Sequence, residues 1–277
     1  MVQLKFAIMI RYTDRRALNS NNFFLLIPYE AFVDTSQSKK NRGTLFMLSN
    51  HIGHEQDIPA RSLIALSTAD LLVFEEDRPA RLALKAAKVH REYLKFSEHI
   101  QKETLEQVHN FLKKGKTVAY MSDQGCPTLA DPGRPLLQLA YQLNASIKVV
   151  PGPSSITAAM SACPFDFSSY IYAGFLPRQS DQRMAKLKQY AALGQALVIL
   201  DTPYRLKALL SACKEVFPKK RQGFLALDIS GENEAYFSSP LSSLESQVSH
   251  LLQKKLNFVM IVEGCDPKPV TGKKHRR

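Results

Sequence analysis

From Gly43 onward the chain alternates short apolar runs with stretches of helical periodicity, and this alternation limits the fold more than any other feature. Thr44–Leu48, Leu71–Glu75, Thr117–Ser122 and Ile147–Val150 are short runs closed by turn signals, the pattern of buried strands. Between them Leu105, Val108, Phe111 and Leu112 recur at helical spacing, and Gly115 stands where a helix C-terminus favours a left-handed residue. Pro135 opens a further helix carrying Leu136, Leu137, Leu139, Ala140 and Leu143. Strands that alternate with helices in this way pair in parallel, with helices covering the sheet.

The turn-rich run Val150-Pro151-Gly152-Pro153-Ser154-Ser155 interrupts the rhythm, and Ser154 or Ser155 can cap a helix reaching Ala162. Beyond it, strands are expected at Tyr170–Ala173, Ala196–Leu200, Phe224–Leu227, Ala235–Phe237 and Phe258–Val262, with helices at Asp181–Leu193, Tyr204–Val216 and Leu244–Lys255. Some of these strands are close enough in sequence to pair antiparallel. The expected organisation is two α/β domains, 43–152 and 153–265, each a mostly parallel or mixed sheet flanked by helices. They are preceded by an extension, 1–42, of uncertain structure in which Phe23–Pro28 is a lone apolar island, and followed by a basic tail, 266–277.

The net charge of +12 invites a nucleic-acid reading, so its distribution matters. Residues 1–42 carry 7 basic and 3 acidic side chains, residues 43–265 carry 25 and 21, and residues 266–277 carry 5 and 1. Two thirds of the excess therefore sits at the termini, either as solvated charge or as arms for phosphates. The cysteines, Cys126, Cys163, Cys213 and Cys265, lie far apart with no C-x-x-C, which gives no reason to expect a metal site or disulfides. No apolar run reaches the ~18–20 residues that span a bilayer, and Lys5 and Arg11 interrupt the apolar start. A cytoplasmic protein without a membrane partner is expected.

Ligands of open parallel sheets collect beyond the carboxyl ends of the strands. Four strand ends here run into stiffened, glycine- and proline-rich loops: Ser122-Asp123-Gln124-Gly125-Cys126-Pro127 with Asp131-Pro132-Gly133, Pro151–Ser155, Gly174-Phe175-Leu176-Pro177, and Asp201-Thr202-Pro203-Tyr204-Arg205. One such loop is an ordinary surface turn. Four in series can present backbone groups to a ligand at little ordering cost.

In this order and spacing the runs resemble the tetrapyrrole methylase superfamily, and within it the branch of ribosomal RNA small subunit methyltransferase I, over about residues 43–264. Gly43-Thr44-Leu45-Phe46 matches its G-T-L-Y strand, and Ile52-Gly53-His54-Glu55-Gln56-Asp57 its I-G-N-x-x-D loop. Glu76-Asp77-Arg78 stands for its E-D-x-R run with the spacer lost. Ser122–Pro127, Asp131–Gly133, Pro151–Ser155, Gly174–Pro177 and Val262–Gly264 match S-D-A-G-x-P, D-P-G, P-G-P-S, G-F-L-P and V-E-G, and Asp201 with Arg205 stands for E-x-x-x-R. The chain departs at His51 and His54, where the family has proline and asparagine.

The resemblance implies a homodimer that binds S-adenosylmethionine between two domains and methylates a ribose 2′-hydroxyl of small-subunit ribosomal RNA. On this reading Ser122, Asp123, Gly125, Cys126, Pro127, Asp131, Gly133, Pro153, Ser154, Ser155, Phe175, Leu176 and Thr202 hold the cofactor. The lack of any G-x-G agrees, since a Rossmann-type methyltransferase carries a glycine fingerprint. A hydroxyl acceptor must lose its proton, and the acids at the strand ends of the first domain, Asp57, Glu76 and Asp77, are the catalytic candidates, although each equally suits a helix cap or ion pair. Arg78 and Arg205 can clamp phosphate or pair on the surface. Two other readings stay open: methylation of a tetrapyrrole or other small acceptor, and a catalytically silent RNA-binding protein.

Overall fold

The computed structural model describes residues 7–11, 24–28, 42–97 and 101–265. The chain divides into two compact units, residues 1–41 and residues 42–277. In the first, strands β1 (Ala7–Arg11) and β2 (Phe24–Pro28) pair antiparallel, with Ala7 opposite Pro28 and Arg11 opposite Phe24. The apolar island at Phe23–Pro28 therefore supplies a strand. The rest of the expected extension, and the basic tail 266–277, lie outside the described residues.

The second unit holds two five-stranded sheets. Strands β3 (Thr44–Leu48), β4 (Leu71–Phe74), β5 (Leu94–Lys95), β6 (Thr117–Met121) and β7 (Ser146–Val150) form an all-parallel sheet in the order β5-β4-β6-β3-β7. Its central strands β4, β6 and β3 are apolar almost throughout because both faces are covered there. Leu45, Met47, Val118 and Tyr120 pack against helices α3 (Gln101–Lys113) and α4 (Arg134–Gln142). Leu48, Leu72, Phe74 and Met121 pack against α1 (Ala60–Thr68) and α2 (Asp77–Ala86). Full burial of each such side chain contributes about 1.5–3 kcal/mol, so neither face can be exposed without a large loss.

The second sheet is mixed. Strands β8 (Tyr170–Phe175), β9 (Ala196–Asp201), β10 (Gln222–Leu227), β11 (Ala235–Pro240) and β12 (Phe258–Val262) lie in the order β11-β10-β12-β9-β8, parallel only between β8 and β9. Leu197, Ile199, Leu225 and Met260 face α6 (Ser180–Leu193), α7 (Leu206–Val216) and α8 (Leu241–Gln247). Val198, Phe224, Ala226 and Ile261 face α5 (Ser155–Ala162). The helix expected over Leu244–Lys255 instead stops at Gln247 and continues as a 3₁₀ segment, Ser249–Lys254. Ser243, Ser246 and Ser249 each donate a side-chain hydroxyl to the carbonyl three residues back along this stretch. Among the described residues no helix is long and apolar enough to cross a membrane.

Candidate active site

The carboxyl ends of β3 and β6 and the start of α5 meet one edge of the mixed sheet, and a cleft of about 180 Å³ lies between them. Its first wall is made by Ile52, Gln124, Gly125, Cys126 and Leu129; its second by Ser154, Ser155, Ile156, Phe175, Leu200, Asp201, Ile229 and Asn257–Val259. Gly125 holds the first wall in shape. It adopts φ +66°, which favours glycine, and its amide donates to His51 O at 3.0 Å while its carbonyl accepts from Asn50 N at 2.9 Å. Two contacts tie the walls together. Asn257 Nδ2 donates to Gln124 Oε1 at 3.4 Å, and Gly53 rests so close to Ile229 that an added Cβ would lie 2.5 Å from its carbonyl oxygen.

Of the residues expected at the cofactor, Gly125, Cys126, Ser154, Ser155 and Phe175 line this cleft, with Phe175 51 % exposed at the end of β8. Cys126 Sγ donates to Pro153 O at 3.4 Å, which places Pro153 behind the wall. Ser122 is buried beneath the loop, its hydroxyl 3.3 Å from Gly125 O. Pro127, Gly133, Leu176 and Thr202 do not line the cleft. Thr202 donates its amide to Asp201 Oδ1 at 2.7 Å, and Leu176 is buried.

Ser122, Asp123 and Asp131 meet in an adjoining cavity, which shares Gln124 and Leu129 with the cleft and is lined also by Glu75 and Pro79. Here the Tyr120 hydroxyl, on a fully buried ring, donates to Glu75 Oε1 at 2.7 Å and lies 3.5 Å from Asp131 Oδ1. Asp131 Oδ1 also accepts from the amides of Thr128 and Gly133, at 2.6 and 3.1 Å, while its Oδ2 is left buried without a partner. Gly133 seats against Tyr120 so closely that an added Cβ would lie 2.4 Å from the ring. Burial, reinforced by the nearby Asp131 and Asp123, pushes the Glu75 carboxyl up to about 7, although the Tyr120 hydroxyl pulls it down. Burial likewise raises Asp123 and Asp131, and it raises the Tyr120 phenol far above its ordinary value.

The expected catalytic acids stand apart from the cleft. Asp57 lies exposed in the 3₁₀ turn Glu55–Asp57, beside His54, whose Nδ1 accepts from Gln56 N. Glu76 precedes α2 and is exposed; its amide donates to Asp123 Oδ1 at 3.2 Å. Asp77 is held by Lys95 Nζ and the Tyr93 hydroxyl, both at 3.0 Å, and the Lys95 bond chiefly keeps its carboxyl below the usual range. Arg78 is exposed on α2. Arg205, expected to clamp phosphate, is committed elsewhere: Nη2 donates to Leu176 O at 2.9 Å and Pro177 O at 2.8 Å, and Nη1 pairs with Asp201 at 3.1 Å.

Sequence reasoning missed Glu75, Tyr120, Asp201 as a wall residue, and Ile229 with Asn257–Val259. A signal for Glu75 existed, because Glu75 and Arg78 keep the four-residue spacing of E-D-x-R with no spacer lost. The start of β12 was missed for a topological reason. β12 runs antiparallel to β9, with Phe258 opposite Asp201, so its amino end lies at the edge where parallel strands place their carboxyl ends.

Comparison with known proteins agrees with this architecture. Residues 52–245 match the Tetrapyrrole (Corrin/Porphyrin) Methylases family. A protein of Thermotoga maritima named ribosomal RNA small subunit methyltransferase I is 30 % identical over 213 residues, 77 % of this chain and 94 % of that protein. The Pseudomonas aeruginosa protein of the same name is 30 % identical over 223 residues, covering 80 % and 79 %. The solved structure of a cobalt precorrin-4 methyltransferase superposes with a TM-score of 0.62 at 14 % identity, covering 79 % of this chain and 94 % of that one, a likeness of fold. The chain therefore belongs to the tetrapyrrole methylase family, in the branch of ribosomal RNA small subunit methyltransferase I, and is a methyltransferase.

Proposed function

We propose that this protein transfers a methyl group from S-adenosylmethionine to a ribose 2′-hydroxyl of small-subunit ribosomal RNA. The observation that carries the reading is the cleft with its acidic side cavity, supported by the names of the relatives. S-adenosylmethionine supplies an electrophilic methyl group on a sulfonium. The cleft fits such a molecule in its chemistry. Ile52, Leu129, Ile156, Phe175, Leu200 and Val259 offer apolar surface for a flat base, while Ser154, Ser155 and backbone groups of the stiffened loops offer hydrogen bonds. Asp201 Oδ2, buried in the wall without a partner, suits a ligand with donors.

Displacement at a methyl carbon is driven by alignment, and the acceptor hydroxyl must lose a proton as it attacks. Glu75 is the best-placed carboxylate for that proton. It lies beside the cleft and ionises near neutral pH, and the Tyr120 hydroxyl fixes one of its oxygens. Asp123 and Asp131 shape its surroundings; Asp57, Glu76 and Asp77 serve the loops and helix ends that carry it. Assembly as a homodimer belongs to the same reading, and sedimentation of the full chain tests it.

The direct experiment incubates the purified protein with methyl-labelled S-adenosylmethionine and undermethylated small ribosomal subunits, then digests the RNA to nucleosides. Label in a 2′-O-methyl nucleoside is expected. Cofactor binding with label only in a porphyrin-type acceptor would replace the RNA reading, and binding of cofactor and RNA without any transfer would mark a silent binder.

A further inference from the structure

We infer that the outer face of α2, with the groove at its C-terminal end, is the track that holds the phosphate backbone of the RNA substrate; the inference rests on the RNA methylation reading above. Arg78, Arg81 and Lys85 fall at i, i+3 and i+7, which places all three on one exposed face, and Lys88 and His90 continue the line past the helix end. The opposite face, Ala80, Ala83 and Leu84, is buried against the parallel sheet, so the helix cannot turn its cations elsewhere. From Arg78 to Lys85 the axis advances about 10 Å at ~1.5 Å per residue. A length of this order spans a few phosphates of a nucleic-acid strand.

The arrangement is not explained by pairing within the protein. Among the described residues no ion pair joins Arg78, Arg81, Lys85 or Lys88 to a carboxylate. The carboxylate nearest in sequence, Asp77, is already held by Lys95 and Tyr93. Nor does the helix dipole account for it, because Arg78 stands in the first turn, where a cation is disfavoured. Concavity adds a second observation. Arg81, Lys85, His90, Arg91 and Tyr93 line a groove of about 430 Å³ at the end of the helix. Arg91, also in its lining, is committed to carbonyls of α1 and the residues after it, with Ala69 O at 2.6 Å, which leaves Arg81 and Lys85 to face a ligand. Direction is the third. Pro79, in the first turn of α2, lines the same side cavity as Glu75, so a strand laid along the track arrives at the proposed proton acceptor.

The test compares the full-length protein with Arg78→Gln/Arg81→Gln/Lys85→Gln and with a charge-matched control, Lys188→Gln/Lys207→Gln/Lys214→Gln, on α6 and α7. Affinity for a small-subunit ribosomal RNA fragment is measured across a salt series. Each lost phosphate contact lowers the slope of log K against log salt by about 0.7–0.9, so the α2 variant should lose about 2 and the control nothing. The KM for RNA should rise about tenfold in the α2 variant, with affinity for S-adenosylhomocysteine unchanged by calorimetry. Equal slopes for wild type and the α2 variant, or an equal drop in the control, would overturn the track. If the triple variant does not fold, the single variants Arg81→Gln and Lys85→Gln carry the same test at about 0.8 each. A wild-type protein that methylates ribosomal RNA while the α2 variant behaves identically refutes only the track, whereas one that neither binds nor methylates RNA refutes the RNA reading itself.

Discussion

At the carboxyl ends of the parallel sheet, Glu75, Asp123 and Asp131 gather around the Tyr120 hydroxyl, and among the described residues no cation pairs with them. At the facing edge of the mixed sheet, Asp201 is paired with Arg205, and the guanidiniums of Arg205 and Arg183 are both spent on carbonyls of Leu176–Arg178. Burial raises carboxyls at both edges, but only at Asp201 do arginines pull the other way. The difference separates two tasks. An unpaired acid such as Glu75, which burial raises to about 7, is suited to moving a proton, while a carboxylate paired with an arginine that also holds a loop is suited to keeping a wall still.

The largest effect should come from the first edge. Glu75→Gln keeps the volume and the Tyr120 bond but cannot take a proton, so turnover should fall about 10²- to 10⁴-fold with S-adenosylhomocysteine affinity intact by calorimetry. A loss of only a few fold would return Glu75 to a structural role and erase the contrast. At the second edge the expected effect is on stability. Arg205→Gln strips Asp201 of its partner and frees two carbonyls, which should cost about 2–3 kcal/mol in urea unfolding, below the full buried-pair value because Arg205 keeps 21 % exposure. Unchanged stability with lost RNA affinity would make Arg205 a substrate contact after all.

A smaller effect is expected where the edges meet. Gly125→Val puts a β-branched residue at φ +66° in the cleft wall and should weaken cofactor binding about tenfold in calorimetry, with turnover at saturating cofactor less affected. The smallest is a pH effect. Because Glu75 is raised from 4.5 to about 7, its protonated form favours the fold; that contribution is complete below pH 4.5 and is lost as pH climbs through 7. Urea midpoints of the wild type should therefore fall relative to Glu75→Gln between pH 5 and pH 8, and parallel curves would contradict the shift. In activity, the wild-type rate should rise through about pH 7, and Tyr120→Phe, which removes the bond that lowers Glu75, should move that rise upward.

The strands of both sheets other than β5 were legible because runs such as Thr117–Met121 and Phe258–Val262 are apolar on both faces, whereas β5, Leu94–Lys95, is too short to show a pattern. Helix α2 was not, since it buries Ala80 and Ala83, residues too small to mark a face, and leaves charges on the other. In the site, Gly125, Cys126, Ser154, Ser155 and Phe175 could be read because their loops follow strands that run one way. Asn257–Val259 could not, since strand direction in a mixed sheet is set by pairing and not by composition. Glu75 went unread because a one-residue shift of the motif moved attention to Glu76 and Asp77, the first exposed ahead of α2 and the second held by Lys95 and Tyr93.

The contact of Gly133 with the Tyr120 ring has a consequence for how the family can vary. A methyl group at this position would tilt the ring and lengthen the bond from its hydroxyl to Glu75, so a substitution in a surface turn would retune the acidity of a side chain on another strand. Position 133 is thus a remote dial on basicity, and drift there would register first as a displaced pH optimum in an otherwise well-folded protein.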